Sequence, residues 1–183
     1  MPDNPTEMRF AGKFRFERAT SHFFYAPGNH VAALIHDFKY RNYPSLARHL
    51  GTVVGSELLA SGWLSDIDFV CPIPLHWWKY TSRGYNQAEE FARGISRIAD
   101  IDLSLELKST RPHRTQTSFS HSDRFKNVRG IFRLSHPERY AGKTILLVDD
   151  VCTTGATLTS AAETIQAAQP DVKIVLLTMA VTF

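Results

Sequence analysis

The stretch that most constrains this chain is I-L-L-V-D-D-V-C-T-T-G-A-T, residues 145–157. Four aliphatic residues in a row, Ile145 to Val148, predict a central strand of a parallel sheet, covered on both faces and so apolar without alternation. The strand is expected to end in two carboxylates, Asp149 and Asp150, and a short hydroxyl-rich loop with one glycine follows. Leu158, Ala161, Ala162, Ile165 and Ala168 then recur at helical spacing, so a helix begins directly after the loop.

This order puts two chemistries side by side. A loop that opens a helix presents unpaired backbone N–H groups at the positive end of the helix dipole, where an anion is favoured. Gly155 permits a tight turn and close approach to a ligand, and Thr153, Thr154 and Thr157 add hydroxyl donors. Asp149 and Asp150 accept hydrogen bonds only, which suits the vicinal hydroxyls of a sugar or, through water, a divalent cation. A phosphorylated sugar satisfies both halves. Gly142-Lys143-Thr144 is not the tail of a P-loop. It precedes the strand instead of following it, and the glycine such a loop requires five positions earlier is Pro137.

The thirteen residues resemble the phosphoribosyl-pyrophosphate (PRPP) signature of type I phosphoribosyltransferases. The resemblance implies an α/β fold with a mostly parallel twisted sheet flanked by helices. It also implies PRPP binding by Asp149, Asp150, Val151, Cys152, Thr153, Thr154, Gly155, Ala156 and Thr157, the acids taking the ribose hydroxyls and the loop the 5-phosphate. Mg²⁺ would arrive with PRPP, bridging its pyrophosphate, and not in a direct side-chain cage.

The rest of the chain alternates strand and helix patterns, as a parallel α/β sheet requires. Residues 1–12 read as a loose start. Phe14 to Phe16 and His22 to Tyr25 read as strand material. Residues 1–24 are therefore taken as an N-terminal extension with a strand, and 25–183 as the phosphoribosyltransferase-like domain. Helices are expected over a stripe of Val31, Leu34, Ile35 and Phe38, over 45–60 with Leu46, Leu50, Val53, Val54 and Leu58 facing inward, and from the Arg83–Ala88 region to 99. Strands are expected at 67–71, 103–107, 131–134 and 173–181. Residues 108–129 lose periodicity, with six basic residues and one acid, and read as a long mobile loop.

Two further loops belong with the site, because ligands in open α/β sheets collect at strand carboxyl ends. Pro72-Ile73-Pro74-Leu75 leaves a neighbouring strand, and by the resemblance Ile73, Pro74 and Leu75 offer backbone groups to pyrophosphate, with Arg83 as charge partner. The basic loop 108–129 takes the place of the flexible loop that closes over PRPP. There Arg111, Arg114 and Arg124 are candidates to neutralise the leaving group, a bidentate task suited to guanidinium; Arg114 and Arg124 are the candidate catalytic residues.

Outside the signature, R-G-Y-N-Q-A (Arg83 to Ala88), R-T-Q-T-x-x-S-x-x-x-R-x-x-N-V-x-G-x-F (Arg114 to Phe132), F-K-Y (Phe38 to Tyr40) and P-I-P-L are similar to the ComF family. That resemblance implies a role in DNA uptake and competence. Two departures stand out. Many ComF proteins carry a four-cysteine zinc module, and these 183 residues hold two cysteines, Cys71 and Cys152. Purine-type phosphoribosyltransferases also place an acidic general base where this chain has Thr153, which cannot take a proton at neutral pH. A start of Met1-Pro2 is not expected of a self-contained glutaminase, which uses an N-terminal cysteine.

Composition adds little more. The net charge of +3 is mild, no apolar run approaches membrane-spanning length, and sparse cysteine suits a reducing cytoplasm. Oligomeric state is not legible. The alternative reading is a non-enzymatic protein that binds single-stranded DNA or a DNA helicase, with Trp77, Trp78 and the basic loop as its surface and the PRPP pocket as an anion site.

Overall fold

The computed structural model describes residues 4–26, 43–75, 84–110 and 130–182, together with 28, 30, 31, 33, 35 and 37. Its centre is a five-stranded parallel sheet in the order β1-β7-β6-β2-β3. The strands are β1 (Arg18–Tyr25), β2 (Phe69–Pro72), β3 (Asp102–Leu103), β6 (Thr144–Cys152) and β7 (Lys173–Thr182). A separate antiparallel pair joins β4 (Leu107–Ser109) to β5 (Phe132–Leu134). Helices are α1 (Pro5–Phe10), α2 (Pro44–Ala60), α3 (Gln87–Ala99) and α4 (Ala156–Ala168), with a 3-10 turn at Pro137–Tyr140.

β6 lies in the middle of the sheet because it can bury both faces. Ile145, Leu146, Leu147 and Val148 are all 0% exposed. Successive side chains point to opposite faces. Ile145 and Leu147 accordingly join one core with Phe10, Leu158, Ala161, Ile165 and Tyr140, and Leu146 and Val148 join the other with Val54, Phe91 and Ile95. Thus α1 and α4 cover one face and α2 and α3 the other.

The α2–α3 crossing is made by glycines. A Cβ on Gly51 would stand 2.0 Å from the Phe91 carbonyl oxygen, and one on Gly94 2.1 Å from that of Arg48. The two backbones are in direct contact. This corrects the inward face expected for α2: Leu46 and Val53 are exposed, Leu50 and Leu58 half-buried, and the buried positions are Ala47, Gly51, Val54 and Gly55.

Three other expectations are corrected. Residues 5–10 form a helix, capped by the Asn4 side chain, which accepts from the Thr6 N–H at 3.0 Å. Phe14 and Phe16 lie outside any strand and pack on Phe10 as an aromatic cluster. The single strand expected at 103–107 is two. The chain leaves the sheet after Leu103, where Ser104 is drawn inward to the Tyr140 hydroxyl at 2.6 Å, and Leu107 starts the outer hairpin. β1 runs across residues 24 and 25 and pairs with β7 up to Tyr25.

Candidate functional site

β6 carries the site. The strand was expected to stop at the acidic pair but continues to Cys152, because β7 extends beside it and offers Ala180 and Val181 as partners for Val151 and Cys152. The ladder skips Asp150. Its N–H instead donates to Asp149 Oδ1 at 2.8 Å, and the Val151 N–H donates to Asp150 Oδ1 at 2.6 Å. The backbone thereby holds both carboxylates at the carboxyl end of the strand, each half-buried.

The loop follows immediately. Thr153 is exposed, Thr154, Gly155 and Ala156 are buried, and Thr157 is half-buried. Gly155 has φ +76° and caps α4, a left-handed conformation that glycine adopts without steric cost. The Thr154 hydroxyl accepts from the Ala156 N–H at 3.3 Å, an internal bond that shapes the loop.

The Pro72–Leu75 loop lies beside the acidic pair. Pro72 pairs with Val148, the residue before Asp149, and the Ile73 N–H donates to the Val148 carbonyl at 2.8 Å. Ile73 is buried, and Pro74 and Leu75 are half-buried. Asn86 fixes this loop from the other side. Its Oδ1 accepts from the Ala88 N–H at 3.2 Å, capping α3, while its Nδ2 donates to the Ile73 carbonyl at 3.0 Å. In the R-G-Y-N-Q run, therefore, Asn86 positions the loop expected to face pyrophosphate.

Sequence reasoning missed the N-terminal contribution. Arg9 donates from one guanidinium to the carbonyls of both Thr153 and Thr182, and Lys13 Nζ donates to the Thr154 carbonyl at 3.3 Å. Phe10 closes on the same loop, its Cε1 2.7 Å from where a Cβ on Gly155 would be. The helix itself had a readable signal, since Asn4-Pro5 followed by Glu7 is a cap, a first-turn proline and a first-turn acid.

Cys152, inside the signature, is buried in the core that Phe10 and Leu158 share. Burial, reinforced by the nearby Asp149 charge, pushes its thiol up to about 12 against the opposing pull of Arg9 and Lys13. Burial likewise pushes Cys71 up to about 11. Both are free thiols serving as small apolar fillers. Among the described residues no group of three or more His, Cys, Asp or Glu is placed to hold a metal ion. Asp149 and Asp150 nonetheless suit Mg²⁺ held mainly by a ligand's phosphates and water, the way this ion usually binds.

Arg83, Arg111, Arg114, Arg124, Trp77, Trp78 and the Phe38–Tyr40 motif lie outside the described residues. So does most of the basic loop.

A glycine turn that opens a helix and a carboxylate pair at one strand end, with a second loop alongside, belong to an α/β protein of the phosphoribosyl transferase domain family, which matches residues 85–180. Within that family it is ComF-like. It is 33% identical over 134 residues to Competence protein F of Haemophilus influenzae, covering 70% of this chain and 58% of that one. It is 29% identical over 143 residues to the DNA utilization protein YhgH of Escherichia coli K12, covering 76% and 61% respectively. The chain thus spans about three fifths of the length of these curated relatives. Among solved structures, the glutamine PRPP amidotransferase of B. subtilis superposes with TM-score 0.53 at 18% identity, over 79% of this chain and 30% of that one. An allosteric regulatory enzyme of purine biosynthesis gives 0.51 at the same identity. At that identity the likeness concerns the fold.

Proposed function

We propose that this protein binds PRPP together with Mg²⁺ and serves DNA uptake or utilization; its relatives are named for competence and for DNA utilization. The observation that carries this reading is the placement of Asp149 and Asp150 between the Gly155 loop and the Pro72–Leu75 loop, on adjacent strands. In this reading Asp149 and Asp150 accept from the ribose 2- and 3-hydroxyls. The Thr153–Thr157 loop takes the 5-phosphate through backbone N–H groups and hydroxyls, and Ile73, Pro74 and Leu75 face pyrophosphate with Arg83. Mg²⁺, when bound, neutralises charge on the pyrophosphate oxygens and so eases its departure. Arg114 and Arg124 are the candidates to assist that departure, and Thr153 supplies no general base.

The chain's cysteines are both free, which fits a cytoplasmic protein. No helix among the described residues is long and apolar enough to cross a membrane. Calorimetry with PRPP and Mg²⁺ tests the reading. Heat of binding is expected for the wild type and its loss for Asp149→Asn combined with Thr154→Ala, and a wild type that gives no heat would refute it. Pyrophosphate release against a panel of nucleobases and amines then asks whether transfer occurs.

The names of the relatives favour a DNA-facing role in addition. Single-stranded DNA or a helicase would meet Trp77, Trp78 and the basic loop. Fluorescence anisotropy with oligonucleotides at two salt concentrations tests the DNA part, since phosphate contacts weaken steeply with salt.

A further inference from the structure

The polar contacts that Arg9 of α1 and Lys13, just after it, make with the signature loop fall on one kind of atom. Arg9 and Lys13 take the carbonyl oxygens of Thr153 and Thr154. The peptides between Thr153 and Gly155 are trans. In a planar trans peptide the C=O and the following N–H point in opposite directions. A cation that holds the Thr153 carbonyl therefore aims the Thr154 N–H away from α1, and one on the Thr154 carbonyl does the same for the Gly155 N–H. Among the described residues neither N–H has a hydrogen-bond partner, whereas the next one, on Ala156, is turned to the Thr154 hydroxyl. The cations also polarise these peptides, which strengthens their N–H groups as donors.

We propose that Arg9 and Lys13 are positioning residues of the phosphate loop: they clamp its carbonyls from behind, so that the Thr154 and Gly155 N–H groups converge on the 5-phosphate of the bound sugar. The proposal rests on the phosphate-binding reading given above. α1 is well placed for the task. Its own position is fixed by Asn4 Nδ2 donating to the Ala19 carbonyl at 2.6 Å and by Glu7 Oε1 accepting from the Ala19 N–H at 3.2 Å. Phe10 is fully buried beneath the loop, in the core it shares with Ala156 and Leu158. The anion loop is therefore braced by the far end of the chain. The guanidinium fork matters specifically, because it spans two carbonyls, Thr153 on the loop and Thr182 at the end of β7. A lysine offers charge but no such fork.

Calorimetry of the full chain with ribose 5-phosphate, beside Arg9→Met, Arg9→Lys and Lys13→Met, tests the clamp. Arg9→Met is expected to weaken binding about tenfold, the size of one charge-assisted hydrogen bond. Arg9→Lys should lose nearly as much, and Lys13→Met roughly threefold, since its bond to the Thr154 carbonyl is long at 3.3 Å. These losses should persist at 0.5 M salt. A purely structural role would lower the unfolding midpoint of the unliganded protein and leave the affinity of the folded protein unchanged, which would overturn the proposal. Full rescue by Arg9→Lys, or a loss that vanishes in high salt, would reduce the effect to long-range charge and overturn it too. Should Arg9→Met not fold, Lys13→Met still decides, since Lys13 is exposed. Amide NMR of the wild type adds a readout free of substitutions: the Thr154 and Gly155 N–H resonances must shift on ribose 5-phosphate addition. Failure of the wild type to bind ribose 5-phosphate or PRPP would instead remove the phosphate-binding reading itself, so the two failures are told apart.

Discussion

Gly155 joins two requirements at one Cα. It caps α4 at φ +76° and gives Phe10 room to pack. An alanine there must adopt a left-handed backbone, at a cost of about 1–3 kcal/mol, and its methyl meets the Phe10 ring at 2.7 Å. Gly155→Ala is expected to lower stability by at least that amount and to abolish phosphate binding even in the fraction that folds. Chemical denaturation together with ribose 5-phosphate titration checks both effects. Unchanged affinity in the folded variant would show that the loop's shape tolerates the methyl. This glycine was legible from its place between strand and helix. Arg9 was not. Its loop partner lies 144 residues away in sequence, and nothing in a local pattern tells an arginine that braces a loop from one that is solvated.

At the scale of elements, the β6–loop–α4 unit was readable because its signals are local and agree: an unbroken aliphatic run, turn chemistry, then a helical stripe. α2 was misread for a physical reason. Hydropathy selects Leu46 and Val53 for the interior, yet glycine carries no hydropathy signal, and it is Gly51 and Gly55 that let α2 approach α3. Gly51→Ala should therefore cost stability at the upper end of the 1–3 kcal/mol that overpacking typically brings. The contacted atom is a backbone oxygen that cannot rotate away, and a denaturation midpoint equal to wild type would contradict the close crossing. The outer hairpin has a pH-dependent fastening. Glu106 lies 2.7 Å from His136 Nδ1 and accepts from Arg139 at 2.7 Å. The His136 hydrogen bond first, and then Arg139, hold its carboxyl below the usual glutamate range. Because the folded value is depressed, this contribution is fully present above the ordinary glutamate pKa, near 4.3, and is lost as pH falls through the folded value. Thermal unfolding followed from pH 6 to pH 3 should be less steeply acid-sensitive in Glu106→Gln than in wild type. Parallel curves would remove the group from the acid response.

For the molecule as a whole, topology turns a one-dimensional signature into a site. Placing β2 directly beside β6 brings Pro72 level with Val148, so loops more than seventy residues apart in sequence flank the same two carboxylates. The alternation of apolar strands and helices made a parallel sheet predictable, but strand order, which decides the neighbours of Asp149, is set by non-local pairing that periodicity does not encode. β1 at one edge and α1 on one face then tie the start of the chain to the end of β6. Ligand binding at such a junction should be felt across the fold. Anything that binds only the native state stabilises it by mass action, about 2.7 kcal/mol at a hundredfold excess over its dissociation constant. For a domain of this size that corresponds to a rise in the unfolding midpoint of roughly 5–10 °C. PRPP with Mg²⁺ is expected to produce that rise in the wild type, and ribose 5-phosphate a smaller one, since it leaves the Pro72–Leu75 loop unfilled. Asp149→Asn combined with Asp150→Asn should abolish the rise for both ligands, because both place a diol against the same two carboxylates. Scanning calorimetry across a ligand series measures it, and a double variant that keeps the full PRPP shift would mean the sugar is held somewhere other than the end of β6.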